Sequence, residues 1–276
     1  MVADLPLESE LAWRPDDALV AAIERATLHA VSPDRLVALP HWLLPLDACS
    51  IGRTHAAVPL SHRLSQADAE QIDTIAAVYR ADGLKPMFRL PCVESVVHAA
   101  LRLRGYTEHD PTWVMGCTLQ DDSPVLHAAD ELGGLIGRVD VLTVPSPAWC
   151  AVFLGPGFDP ADGAARAAHL GRASGTRFYA VGTPTPGISQ DQQTALHAVG
   201  AACWHGGWVG IHGMRTLAAV RGRGMARAIL QRMAQEAWAA EQRQIFLQVG
   251  ADNPARHLYQ RLGFEHRWTY AYWRHA

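Results

Sequence analysis

Apolar positions along this chain recur with two periods, and the places where the period changes mark the elements. Residues 17–30 (DALVAAIERATLHA), 66–82 (QADAEQIDTIAAVYRAD) and 225–242 repeat their apolar positions every three or four residues, which predicts helices. Residues 93–104, 160–173 and 254–262 predict three more; Gly83, Gly105 and Gly263 close the helices that precede them. Strands are predicted at 50–60, 85–90, 112–119, 138–144, 177–183, 195–205, 208–218, 244–249 and 268–273. His205-Gly206-Gly207 reads as a hairpin joining two of them, and 184–193 as a loop. The acidic, polar stretch 121–134 around Ser123-Pro124 is the candidate linker.

The pattern repeats. Gly105-Tyr106 and Gly263-Phe264 each end a helix and stand 158 positions apart. The same shift lays Phe88-Arg89-Leu90 on Phe246-Leu247-Gln248, and the helix at 71–82 on residues 229–240. Two copies of one helix–strand–helix–strand unit are expected, 1–125 and 126–276.

Composition narrows the classes of function. Of the 276 residues 49% are hydrophobic and 18% charged, the balance of a folded chain. A formal net charge of −3 gives no general attraction to nucleic acid or anionic lipid. No apolar run approaches the roughly 20 residues of a membrane span. The start, MVADLPLESELAW, carries acids where a signal peptide carries bases, which predicts a cytoplasmic protein. Five scattered cysteines without Cys-x-x-Cys, and fourteen histidines without His-Glu-x-x-His, predict reduced thiols and no metal site.

The chemistry concentrates after the 208–218 strand, in Arg221-Gly222-Arg223-Gly224-Met225-Ala226-Arg227. A glycine-rich turn opening a helix presents main-chain N–H groups without intrahelical acceptors, at the positive end of the helix dipole. That is a site for phosphate oxygens; glycines serving helix packing alone are the alternative. The spacing is neither Gly-x-Gly-x-x-Gly nor a nucleotide-binding Gly-Lys-Ser/Thr turn.

Further on, Asn253-Pro254-Ala255-Arg256-His257-Leu258-Tyr259-Gln260-Arg261-Leu262-Gly263-Phe264 completes a second motif. With Arg221-x-x-Gly224-x-Ala226 before it, the chain resembles the GCN5-related N-acetyltransferase superfamily. That family carries Arg/Gln-x-x-Gly-x-Gly/Ala and then Asn-x-x-Ala-x-x-Leu-Tyr ahead of Leu-Gly-Phe. The match covers about 207–274, with Ala255 displaced by one position. The resemblance implies an α/β fold of the mixed-sheet (α+β) kind: two domains, each a splayed, mostly antiparallel sheet flanked by helices. It implies acetyl-coenzyme A as co-substrate, with Met214, Arg215 and Thr216 along its pantetheine arm and the 221–227 turn on its pyrophosphate. Asn253 is then a coenzyme contact, and Tyr259 the donor of a proton to the departing thiolate.

The acceptor implied is a primary amine of a small molecule or peptide. An amine of pKa near 10.4 costs about 4.6 kcal/mol to neutralise at pH 7, so a base or a desolvating pocket is needed. The family commonly uses a glutamate on nearby strands, and none stands at 208–218. His212 is the titratable residue there; a strand histidine hydrogen-bonded in the sheet is the other reading of it. Direct attack in a ternary complex is expected, since neither motif contains a cysteine to carry the acyl group. The alternatives are a non-catalytic acyl-coenzyme A sensor and an aminoacyl-transferase of the tandem type; the absence of a basic cluster speaks against the last.

The first copy lacks the chemistry. Opposite the turn stand Arg63-Leu64-Ser65-Gln66-Ala67-Asp68, without glycine and with an acid at the helix start. Leu101 stands opposite Tyr259 and Ser95 opposite Asn253. One coenzyme per chain is expected.

Overall fold

The computed structural model describes residues 15–127, 139–155, 160–183 and 195–275. In chain order these form α1 (Asp17–Val31), β1 (Arg35–Leu39), β2 (Trp42–Leu46), β3 (Val58–Pro59), α2 (Gln66–Glu70), α3 (Ile72–Ala81), β4 (Phe88–Pro91), α4 (Val96–Leu103) and β5 (Thr107–Thr118). There follow β6 (Asp140–Leu142), α5 (Pro147–Phe153), α6 (Pro160–Arg172), β7 (Thr176–Thr183), β8 (Ala195–His205) and β9 (Trp208–Thr216). The chain then runs through α7 (Met225–Ala239), β10 (Gln244–Gly250), α8 (Ala255–Arg261) and β11 (Glu265–Arg274).

Most expected elements are present with shifted ends. The strand expected at 50–60 is instead a short 3-10 turn at Gly52–Thr54 and the two-residue β3. Thr54 explains the turn: its hydroxyl bonds the Ile51 carbonyl at 2.8 Å and holds the chain curled. β1, β2 and α5 were not expected; the apolar run 35–46 contains Pro40 and Pro45, and only their pairing with each other makes strands of it. The 184–193 loop and residues 128–134 of the linker lie outside the described residues.

Eight strands form one mixed, mostly antiparallel sheet in the order β4-β11-β5-β10-β9-β8-β7-β6. The sheet crosses the 125/126 boundary: β5 pairs with β10, β11 pairs with β4, and β5 and β11 pair with each other between them. Shifting by 158 residues turns β4 into β10 and β5 into β11, so the block β4-β11-β5-β10 maps onto itself reversed, a local twofold. Outside it, Phe246 pairs in parallel with Gly210 of β9, and its counterpart Phe88 makes a parallel bridge to Ala57. The helix ends repeat as well: Tyr106 N–H bonds the Leu101 carbonyl at 3.1 Å, and Phe264 N–H the Tyr259 carbonyl at 3.0 Å.

Alternation on β10 sets the two faces. Ile245, Leu247 and Val249 pack with Ile229, Leu230 and Met233 of α7, while Phe246 packs with Ile23 and Ala26 of α1 on the other face. Each such side chain contributes about 1.5–3 kcal/mol when fully buried, so both faces are firmly held and β10 stands fixed between them.

Candidate active site

β9 and β10 run parallel but stay together only from Trp208↔Gln244 to Ile211↔Leu247. Beyond that point β10 continues against β5, and β9 against β8. The cause is local. Val199 faces Arg215 and Ala201 faces His212, so Gly213 and Met214 together oppose Gly200: a bulge, with Gly213 at φ +59°. Bulges bend and twist the strand that carries them. A side chain at Gly200 would put its Cβ 2.5 Å from the Met214 sulfur, so the bulged Met214 lies across a position only glycine suits. The β10-facing main chain of residues 212–216 is thereby left without a strand partner. It forms an edge inside the sheet, open to a ligand that hydrogen-bonds like a strand.

At the C-terminal end of β9 the expected turn opens α7. Gly222 and Gly224 have φ of +77° and +78°, and Gly224 caps the helix without any side-chain hydrogen bond. The main-chain N–H groups of residues 222–226 have no acceptor among the described residues. A Cβ on Gly222 would meet nothing within 4 Å. Five donors at a helix start, flanked by exposed Arg221 and Arg223, are a donor set that suits a diphosphate. Arg221 Nε donates to the Thr216 carbonyl at 3.3 Å, and Arg215 Nη2 to the Gly155 carbonyl at 2.8 Å. Burial and the nearby Arg221 charge lower the Arg215 pKa. Arg227 is half-buried in the first turn of α7.

At the end of β10, Asn253 accepts from Ala255 N–H at 2.9 Å through Oδ1 and so starts α8; it is exposed, on the same end of the sheet as the 221–227 turn. One turn later Tyr259 is buried in the cluster that also holds Met225 and Phe264. Its hydroxyl makes no hydrogen bond among the described residues, and burial pushes its pKa up to about 12. The splay thus gathers Met214, Arg215, Thr216, the turn, Asn253 and Tyr259 at one end of the sheet.

His212 stands apart from this group. It is the first β9 residue past the last β9–β10 pair, on the α1 face, edge-on to Phe246 with ring centroids 6.1 Å apart. Neither ring nitrogen has a hydrogen-bond partner among the described residues. Burial, with the Arg53 charge adding, brings its pKa down to about 3, so the ring is neutral at physiological pH and a weak base. In the unfolded chain the ring titrates near 6.5. Between the two values the unfolded chain binds a proton that the folded one does not, so stability falls as pH drops below about 6.5. Between pH 7 and 4.5 the protein is expected to lose about 2–3 kcal/mol more than His212→Leu in urea unfolding; equal losses would show that the ring is hydrated.

The corresponding helix start in the first stretch is closed. Asp68 Oδ2 accepts from Ser65 N–H at 2.8 Å and from the Ser65 hydroxyl at 2.6 Å, and the Ser65 hydroxyl oxygen accepts in turn from Asp68 N–H. This capping box occupies donors that the second stretch leaves open. Hydrogen bonds from Ser65 and His41 hold the Asp68 carboxyl below its usual range, despite burial.

The sequence did not reveal the cavity beside the splay. It measures about 380 Å³, and its lining includes Arg53, Asp110, Arg166, Gln248, Tyr270 and Arg274. Gln248 was its one legible signal, a polar residue interrupting the apolar run IFLQVG. The other lining residues come from stretches far apart in sequence. Among the described residues one group of possible metal ligands gathers, Asp47, Cys49 and His169. Each is engaged by the chain itself: Asp47 by the Asp34 and Cys49 N–H groups, Cys49 by Thr54, and His169 by the Val31 carbonyl. Among the described residues no helix is long and apolar enough to cross a membrane.

The fold is that of several solved acetyltransferases. A GCN5-related N-acetyltransferase from Kribbella flavida aligns with a TM-score of 0.66 at 15% identity, over 93% of this chain and 95% of its own. A tandem GNAT protein from the clavulanic acid biosynthesis pathway aligns with 0.58 at 14% identity, over 94% of each chain. A GCN5-related N-acetyltransferase from Sphaerobacter thermophilus gives 0.55 at 14% identity, over 95% and 93%. No curated protein matches the sequence. A family model described as "Probable histone acetyltransferase Rv0428c C-terminal" matches residues 18–273, nearly the whole chain. That match over nearly the whole chain makes the protein a member of that family, with the fold of the GCN5-related N-acetyltransferases.

Proposed function

We propose that the protein is an N-acetyltransferase that moves an acetyl group from acetyl-coenzyme A to a primary amine by direct attack in a ternary complex. The observation that carries this is the opening of β9 from β10 directly ahead of a helix start with five N–H groups that have no acceptor among the described residues. Residues 222–226 bind the diphosphate by main-chain donors, with charge from Arg221 and Arg223. The unpaired edge at residues 214–216 binds the pantetheine amides as a neighbouring strand would. Bound there, the coenzyme supplies an acetyl thioester. Tyr259 holds a proton on its phenol oxygen. Its raised pKa makes it a hydrogen-bond donor at every working pH, stabilising negative charge on sulfur more readily than giving the proton up. Asn253 has its side-chain amide left to donate, since only its oxygen is used in starting α8. His212, too weak a base to deprotonate an ammonium outright, contributes a water-poor wall that favours the neutral amine.

In this proposal residues 1–125 and 126–276 are two copies of one unit that exchange their last strands, and only the second binds coenzyme. Calorimetry is expected to give one acetyl-coenzyme A per chain, and an amine library to release free thiol. Tyr259→Phe is expected to lower kcat about 10- to 100-fold with coenzyme affinity within threefold. Tight binding with no thiol release from any amine would favour a sensor; two equivalent sites would refute the single-copy assignment.

A further inference from the structure

The cavity beside the splay carries a charge pattern that acetyl transfer alone does not require. Its lining contains three arginines, Arg53, Arg166 and Arg274, and one acid, Asp110. Asp110 is committed to Arg274 at 3.2 Å. That pair offsets itself, and Arg53 is left as a positive charge in the described lining.

Arg53 is held in place. Its Nη1 donates to Gln248 Oε1 at 3.3 Å, and the same oxygen accepts from the Tyr270 hydroxyl at 2.8 Å. The Gln248 amide nitrogen donates to Thr27 Oγ1 at 2.9 Å, which fixes which way the carboxamide points. The guanidinium so positioned has no carboxylate within ion-pair distance among the described residues. Glu24, whose pKa its charge affects, is already bonded through both oxygens to Arg89. A guanidinium has five N–H donors in a planar fork, and Gln248 takes one. Such a fork, fixed in a polar cavity, matches a carboxylate that accepts two parallel hydrogen bonds.

Position adds the second half. Gln248 and Gly250 line the cavity and belong to the part of β10 that has left β9. Gln248 and His212 are the first residues past the last β9–β10 pair, on the same face of the sheet. A molecule in the cavity with its anionic end on Arg53 thus has its other end beside the opening between the strands.

We propose that the cavity binds an amine that also carries a carboxylate, an amino acid or short peptide, with the carboxylate on Arg53 and the amine turned toward the splay. This rests on the acetyltransferase proposal, whose substrate class it names. Polycationic acceptors are disfavoured, because the Arg53 charge repels them.

The test uses the full chain and matched pairs, each amino acid against its decarboxylated amine, with a lysine-rich peptide and an aminophosphonate as further probes. Thermal unfolding is followed with and without coenzyme A, and coenzyme binding is measured separately by calorimetry. At least one carboxylated amine is expected to raise Tm and to bind tenfold or more tightly than its decarboxylated partner. Arg53→Gln is expected to erase that preference with coenzyme affinity unchanged, and Arg53→Lys to keep part of it. Stabilisation by the decarboxylated amine or the lysine-rich peptide to an equal degree, tighter binding of the phosphonate, or no stabilisation by any carboxylated amine would overturn the proposal. Loss of the acetyltransferase proposal shows differently, as failure to take up coenzyme in the calorimeter.

Discussion

Ala226→Glu is expected to lower affinity for acetyl-coenzyme A by about 100-fold or more while leaving the fold as stable as before. Ala226 is half-buried in the first turn of α7, and its N–H is one of the five without an acceptor. A carboxylate there meets the favourable end of the helix dipole, worth about 0.3–1 kcal/mol to the free protein. Against a diphosphate it is a like charge at close range. Two unit charges 4 Å apart at a protein surface interact by about 4 kcal/mol, more than the 2.7 kcal/mol of a hundredfold loss. Calorimetry checks binding and thermal unfolding checks the fold, and the opposite signs separate the expected result from general damage. Undiminished uptake of coenzyme would remove the turn from the site. The first stretch already shows such a closure in Asp68, whose carboxylate closes the N-terminus of α2 in a capping box with Ser65.

The second large effect concerns stability. Glu24 of α1 and Arg89 of β4 form a buried ion pair, with Arg89 Nη1 3.2 Å from Glu24 Oε1 and a second bond between Nη2 and Oε2. The Arg89 guanidinium also lies over the Tyr270 ring, 4.8 Å from its centroid, beneath the cavity wall that Tyr270 shares. Burial pushes the Glu24 pKa up and the Arg89 charge opposes it. Arg89→Met removes that opposition and leaves an uncompensated carboxyl, at an expected cost of about 3–5 kcal/mol. The folded pKa of Glu24 then rises further above its unfolded value near 4.3. The folded state binds the proton more tightly, so the variant is expected to gain stability as pH falls from 7 to 5. Glu24→Leu combined with Arg89→Met is expected to recover most of the loss, since a packed apolar pair of similar volume is often neutral or better. Urea unfolding of the three variants at both pH values measures this. A single-variant loss below about 1 kcal/mol would show the pair to be hydrated.

Much of the site was legible because its chemistry is local. A glycine turn at a helix start positions its own N–H groups whatever surrounds it, so residues 221–227 spelled out a set of open donors before any contact was known. Asn253 and Tyr259 belong to a second local pattern and fall at the same end of the sheet. The shift of 158 residues likewise marked the matching helix ends, because caps such as Gly105 and Gly263 are built from local hydrogen bonds.

Other features had no local signal. That β11 enters between β4 and β5 is decided by pairing over more than a hundred and fifty residues, which no window of sequence contains. His212 carries the residue type of a proton acceptor, but its solvation decides its pKa, and α1 with Phe246 supplies that enclosure. Arg53, Arg166 and Gln248 look like unrelated surface and strand residues until the chain folds around one cavity. The sequence by itself determined most of the elements, the repeated helix ends and the glycine turn, because hydrogen bonds between near neighbours suffice to build them. The tertiary structure alone decided the shared sheet, the buried charges and the cavity beside the splay, because desolvation and the balance of charge depend on what distant segments bring together.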